Sequence, residues 1–197
     1  MFLNLYALLD FAGLAIGSVY ATIPLFWLTV HSLAARWRSS GRRAYFALLP
    51  LWFFYALVAF TIGWRFRHVH LYVSWMAWVP AVLFLLMGVA MYQAAGQGFG
   101  RARAIGLPEI EPDSYSQQLI TTGIRAKVRH PYYLGHFCEL FGWMLGTGSL
   151  ALAGMLAFTL ITGAIMIRKE DHELEQRFGE AFREYRARVP AFLPKGR

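Results

Sequence analysis

Apolar residues fill this chain in blocks that are too long and too continuous to be the half-buried faces of a soluble domain, and short polar stretches separate them. The first block, residues 5–33, is long enough to cross a bilayer with tilt, and Pro24 inside it predicts a kink. A basic loop at 35–43 leads to a second block at 44–64, rich in Trp and Phe, whose exit carries Arg65, Arg67, His68 and His70. A third block covers 71–93. Residues 94–129 form the longest polar segment, marked by Gly96, Gly98, Gly100, Gly106, Pro108 and Pro112, and a connection of that length is usually functional or disordered. Beyond it, 132–145 and 150–167 read as an apolar helical pair joined by Gly146, Thr147 and Gly148, the second continuing as a charged helix that ends near Arg188. No internal repeat is visible. The pattern predicts an all-α integral membrane fold of about five transmembrane helices plus a C-terminal amphipathic helix.

Composition agrees: 57% of the 197 residues are hydrophobic and 15% charged, with a mean hydropathy of +0.41. The net charge of +8 could point to nucleic acid, but the basic residues flank apolar spans and form no interleaved aromatic and basic surface. Anionic membrane lipids are the partner this charge fits. Five spans place the 35–43 loop, the 94–129 segment and the tail on one side, with 17 of the 19 basic residues and only Arg65 and Arg67 opposite. The positive-inside rule then sets the N-terminus outside and the long loop and C-terminus in the cytosol. The chain's one cysteine, Cys138, lies in an apolar helix, where it offers packing and neither a disulfide nor a metal pair. The first apolar run lacks a basic leader and is too long for a cleaved signal peptide, so it is expected to remain.

Chemistry concentrates at residues 121–135, TTGIRAKVRHPYYLG, where the polar segment turns into helix. Pro131 suits the first position of a helix, because its fixed φ is helical and its missing N–H has no partner to lose there. Arg129 and His130 then precede a helix N-terminus, whose free N–H groups and dipole, with the guanidinium, suit a carboxylate or phosphate. Tyr132 and Tyr133 add aromatic faces. The plainer alternative is a membrane-boundary cluster, with Arg for topology and Tyr as interfacial belt. In the tail, Leu174, Phe178, Phe182 and Tyr185 recur at helical spacing and make one apolar face. Gly179 costs about 1 kcal/mol against Ala in a helix interior, which predicts a break or a close backbone approach. Glu170 and Asp171 point about 100° apart, so at most one faces a given pocket; otherwise they belong to a solvated face with i,i+4 pairs.

The Arg129-His130-Pro131-x-Tyr133-x-Gly135 element, followed by Glu170-Asp171, Leu174, Phe178-Gly179, Tyr185, Val189-Pro190 and Pro194, resembles the isoprenylcysteine carboxyl methyltransferase and phospholipid methyltransferase superfamily over residues 121–194. The resemblance implies a membrane methyltransferase dependent on S-adenosyl-L-methionine, which becomes S-adenosylhomocysteine on transfer. It implies cofactor-binding roles for Arg129, His130, Tyr133, Gly135, Glu170 and Tyr185. The site read from the residues fits that cofactor: Arg129, His130 and the helix N-terminus for the methionyl carboxylate, Glu170 for the ribose diol, Tyr133 and Tyr185 for adenine and sulfonium. Gly96-x-Gly98 is similar to a glycine element of the lipid methyltransferases. Arg125 and Lys127 stand where many members carry an aromatic, Phe182 where Tyr is common, Asp171 in place of a second Glu, and Ala191 in place of a frequent Arg. The chain then divides, as a single membrane domain, into three N-terminal spans at 1–93 and a cofactor-binding and catalytic region at 94–197.

His136 and Glu139 lie at i,i+3 on the fourth span and share a face, where ionisable groups are costly and usually functional or paired. They line the route of an acceptor or take its proton, or pair structurally; with Arg129 they are the candidate catalytic residues. No HExxH and no His-rich cluster speaks for a metal. Asp10 and His31 read as structural or interfacial, and His68, His70 and His172 as facing water. The expected acceptor is a lipophilic small molecule or lipid methylated at S, N or O. Two rival readings are an NADPH-dependent ene or sterol-type reductase, which shares part of the C-terminal pattern, and a non-enzymatic membrane interaction subunit.

Overall fold

The computed structural model describes residues 2–115 and 118–192, without the side chains of 2–4; Pro194, Lys195 and Arg197 lie outside the described residues. The helices are α1 (Phe2–Ser32), α2 (Ala34–Arg38), α3 (Tyr45–Arg65), α4 (Trp78–Gly96), α5 (Arg101–Ala104), α6 (Leu107–Ile110), α7 (Pro131–Thr147), α8 (Leu150–Phe178) and α9 (Glu180–Arg188). No named strand occurs among the described residues. The protein is an all-α integral membrane protein. Four stretches, Leu5–Ser32, Gly41–Arg65, Trp75–Gly96 and Leu150–Phe178, are long and apolar enough to cross a bilayer. The fifth expected span, α7, has 17 residues, a rise of about 25 Å against a hydrocarbon core of about 30 Å.

Lipid-facing and protein-facing sides separate cleanly. Phe46, Phe53, Met76 and Val79 of the α3 and α4 spans are largely exposed, as bilayer-facing side chains must be. Leu14 and Ala21 of α1 meet Leu140 of α7 and Leu152 and Met155 of α8 in the main core. With no hydrophobic drive between helices in lipid, close approach has to come from small residues. A Cβ at Gly135, Gly142 or Gly146 of α7 would lie 2.8 Å from Tyr92, 2.9 Å from Leu85 or 2.7 Å from Trp78, all on α4. Expected breaks fall where glycine chemistry put them: Gly148, at φ 64°, closes α7, and Gly179, at φ 55°, separates α8 from α9. Helix α1 is assigned as one helix through Pro24.

The bundle has two distinct ends. At one, Tyr6 Oη donates to Thr147 O at 2.7 Å, Leu71 N to Gly148 O at 2.8 Å, and His70 Nε2 lies 2.9 Å from Asp10 Oδ2. His70 therefore pairs with the one acid of α1, where a water-facing role was expected, because the 66–77 connection folds back over the α1 terminus. At the other end gather the three basic segments. The described residues of the 94–129 segment are folded there in short turns, with Ile110 buried against Val30, Ala44 and Leu48. Ion pairs tie it to its neighbours: Arg42 to Glu111 at 3.1 Å and Arg177 to Glu109 at 3.4 Å.

Candidate functional site

Helix α7 begins at Pro131, with His130 as its cap at φ −116°. The Pro ring disfavours helical backbone in the residue before it, which fixes the start of the helix and directs 129–130 along the tail. Arg129 N donates to Pro190 O at 2.9 Å and His130 N to Ala191 O at 3.1 Å, so the Arg-His-Pro and Val-Pro motifs lie side by side. Their side chains converge on α8. Arg129 Nη2 meets Asp171 Oδ2 at 2.6 Å while Nη1 donates to Val189 O at 2.5 Å. His130 Nε2 meets Asp171 Oδ1 at 3.0 Å, and its Nδ1 faces Glu170 Oε2 at 3.4 Å.

The electrostatics of His130 follow from these distances. Burial alone would lower its pKa, but Glu170 and Asp171 outweigh it and raise it to about 9. With a carboxylate facing each ring nitrogen, one in hydrogen-bond contact and the other at ion-pair distance, the charged imidazolium is the form this setting favours. Both acids therefore act on one histidine, although only Glu170 also lines the cavity beside it.

That cavity, of about 220 Å³, lies among α1, α7, α8, α9 and the 99–125 segment. Five of the residues singled out in the sequence, Arg129, His130, Tyr133, Glu170 and Tyr185, line it. Trp27 and His31 of α1, Phe99 and Glu109 join them without any local pattern having marked them, and Arg125 joins from the 121–135 stretch. His31 Nδ1 pairs with Glu173 Oε2 at 2.7 Å, a contact 142 positions apart. Glu109 Oε2 and Glu170 Oε2 are buried without a hydrogen-bond partner. Burial raises the Glu109 pKa against the pull of Arg177. Tyr185 Oη donates to Arg125 O at 2.7 Å, and burial pushes its pKa up to about 12.

A second cavity, of about 580 Å³, is apolar, bounded by Phe26 and Trp27 of α1, Leu49 and Trp52 of α3, and Ile105 and Leu107. His136 lines both cavities. Its Nδ1 lies 2.6 Å from Tyr132 O. A carbonyl only accepts, so Nδ1 carries the proton and Nε2 keeps a lone pair. Tyr20, Tyr92 and Tyr133 surround the ring at centroid distances of 5.5, 5.2 and 6.2 Å. Glu139 is not brought to His136: it faces Gly88 of α4 from one turn deeper and lines neither cavity. Gly135 also stands apart, with the Tyr92 ring packed on it.

Fold and cavities together define an all-α integral membrane protein with a charged cavity at one end of its bundle and an apolar one adjoining it. Comparison with known proteins places it more closely. The chain is 43% identical over 82 residues to the nickel-cobalt-cadmium resistance protein NccN of Alcaligenes xylosoxydans xylosoxydans, covering 41% of this chain and 38% of that one. It is 37% identical over 81 residues to the protein-S-isoprenylcysteine O-methyltransferase of Schizosaccharomyces pombe, covering 39% and 33%. With the delta(14)-sterol reductase TM7SF2 of Mus musculus it shares 31% identity over 84 residues, 42% of this chain and 20% of that one. The matches thus span about two fifths or less of these relatives. No family model and no solved structure matches the chain. Over about two fifths of its length the chain is thus similar to isoprenylcysteine O-methyltransferases.

Proposed function

We propose that this protein is an S-adenosyl-L-methionine-dependent membrane methyltransferase acting on a heteroatom of a lipophilic or amphiphilic acceptor. The observation that carries the reading is the pair of adjoining cavities, one charged and one apolar, with His136 at their junction. The charged cavity has the donor set the cofactor asks for. Glu170 lines it with a buried carboxylate oxygen, Oε2, that faces His130 at ion-pair distance but accepts no hydrogen bond among the described residues, and is suited to a ribose diol. Tyr133 and Tyr185 offer ring faces, and His130 faces Glu170 at 3.4 Å from the cap of α7. Arg129 and Asp171 act as positioning residues, because their side chains are already joined. Gly135 contributes by letting α4 and α7 approach behind the site. Residues 94–197 form the cofactor-binding and catalytic region in this reading, with Trp27 and His31 of the first span completing its wall.

A cofactor held by these residues would supply the electrophilic methyl group for an S, N or O nucleophile, with S-adenosylhomocysteine as the leaving product. The chain's part is to hold the acceptor in line and to keep water out, which supplies most of the rate for a transfer of this kind. The apolar cavity orients a lipophilic acceptor between α1 and α3. The His136 Nε2 lone pair is placed to hold the proton lost by a thiol or amine. Glu139 faces α4 from one turn deeper and is a second proton acceptor only if its side chain turns. The basic end of the bundle is cytosolic, with the N-terminus outside, on the 17-to-2 asymmetry of basic residues; a cysteine introduced at Ser39 should react only from the cytosolic side.

The test is a thermal shift in detergent with S-adenosylhomocysteine, NADPH or neither, followed by labelled-methyl transfer from S-adenosyl-L-methionine to prenylated cysteine, phospholipid amines and small hydrophobic thiols and amines. Stabilisation by S-adenosylhomocysteine and transfer to an apolar acceptor are expected. Stabilisation by NADPH alone would move the protein to the reductase reading that its 31% identity to a sterol reductase keeps open.

A further inference from the structure

The cations around the charged cavity are not equivalent, and their engagements can be followed one by one. Arg129 is tied down at both terminal nitrogens, through Nη2 to Asp171 and through Nη1 to Val189 O, and only its Nε is buried without a partner. His130 has a carboxylate on each ring nitrogen. His31 pairs with Glu173 and Arg177 with Glu109, and Arg103 has partners of its own. Arg125 differs. It is 6% exposed, and among the described residues no carboxylate pairs with it. Among the described residues its side chain makes one hydrogen bond, from Nη1 to Ala95 O at the end of α4, at 2.8 Å. Its Cζ lies 3.9 Å from the centre of the Phe99 ring and 5.7 Å from that of Tyr132.

A guanidinium has five N–H donors, and a buried one that spends a single donor on a carbonyl is under-satisfied. Burying a charge without a counter-charge is costly unless something compensates it. Contact with the Phe99 ring compensates part of that cost, and Arg125 lines the cavity, where a ligand can meet its remaining donors. Both the Gly123–Ala126 turn and the Ala95 carbonyl are held by the fold, so the cation is preorganised in the ligand-free protein.

We propose that Arg125, rather than Arg129, receives the carboxylate of the ligand in this cavity. The inference rests on the methyltransferase reading above and deepens it. The methionyl carboxylate of the cofactor meets the Arg125 edge beside Phe99, while Glu170 takes the ribose from the α8 wall of the same cavity. Arg129 keeps its intramolecular partners, and the loss of its charge acts on the cofactor only through Asp171 and His130.

The test compares two ligands differing in the group at issue. S-adenosylhomocysteine carries the amino-acid carboxylate, and 5′-methylthioadenosine lacks it. Calorimetry on purified protein in detergent comes first with the unsubstituted chain; absence of S-adenosylhomocysteine binding there would overturn the methyltransferase reading itself, and this inference with it. Given that binding, Arg125→Gln should weaken S-adenosylhomocysteine about 10- to 100-fold, the range for hydrogen bonds to a charged group, and leave 5′-methylthioadenosine within about twofold. Arg125→Lys should recover part of the loss. An equal loss for both ligands in Arg125→Gln would mean that the residue only shapes the cavity, and no loss for either would assign the carboxylate elsewhere. Both results overturn the inference while leaving the methyltransferase reading standing.

Discussion

Arg129 and Asp171 meet at 2.6 Å across 42 positions of chain, with side chains 9% and 12% exposed, at the seam where the Arg-His-Pro segment, the end of α8 and the tail come together. Breaking a buried pair by removing one partner leaves the other charge without compensation and costs about 3–5 kcal/mol. Arg129→Ala is therefore expected to lower the unfolding free energy in detergent by roughly that amount, and Arg129→Ala with Asp171→Asn to lower it by less than the sum of the single changes. A lowered ligand affinity at unchanged stability would instead make Arg129 a ligand-contacting residue.

His130 gives the fold a pH dependence with a definite sign. Its pKa in the folded protein is about 9, above the 6.5 of the free side chain. A group so raised contributes stability fully below about pH 6.5 and loses it as pH climbs through about 9. The shift corresponds to about 3 kcal/mol. Tyr185, pushed up to about 12, titrates above that window. Thermal unfolding measured from pH 6.5 to 9.5 should show a falling Tm, and His130→Gln should flatten the fall. A slope of the same size in the variant would remove His130 as its source.

What could be read from the sequence here was local. Pro131 starts a helix and Gly179 ends one because backbone geometry at those residues leaves few alternatives, and long apolar runs become long helices because nothing else satisfies their backbone in lipid. The cavity-lining motif residues were legible because the motifs themselves were. Trp27, His31 and Glu109 were not, since each owes its place to packing between segments far apart in the chain, as with His31 and Glu173. Arg129 shows the opposite limit. Its position before a helix N-terminus was read correctly, but the direction of its side chain depended on Asp171 and Val189, which sequence spacing does not place.

Gly135 separates packing from binding. A Cβ there would come 2.8 Å from Tyr92 Cε1, so the α4 ring has to shift to accept it. Overpacking of this kind typically costs about 1–3 kcal/mol. Gly135→Ala should lower Tm and leave the dissociation constant of S-adenosylhomocysteine in the folded fraction within about twofold. Loss of binding at unchanged Tm would return Gly135 to the ligand's own contacts.

The two cavities make separable predictions about donor and acceptor. Leu49 and Trp52 line the apolar cavity and not the charged one, whereas His136 lines both. Filling the apolar cavity with Leu49→Trp should raise the acceptor KM about tenfold or more and leave S-adenosylhomocysteine binding unchanged, because only acceptor volume is lost. His136→Phe keeps a ring among Tyr20, Tyr92 and Tyr133 but removes the Nε2 lone pair. General-base catalysis contributes about 10²- to 10⁴-fold, so kcat should fall within that range for a thiol or amine acceptor whose proton must leave. An acceptor already supplied as an anion needs no such base, and its kcat in His136→Phe should stay within about threefold of the unsubstituted protein. Equal losses for both acceptors would show that His136 positions the acceptor and takes no proton from it.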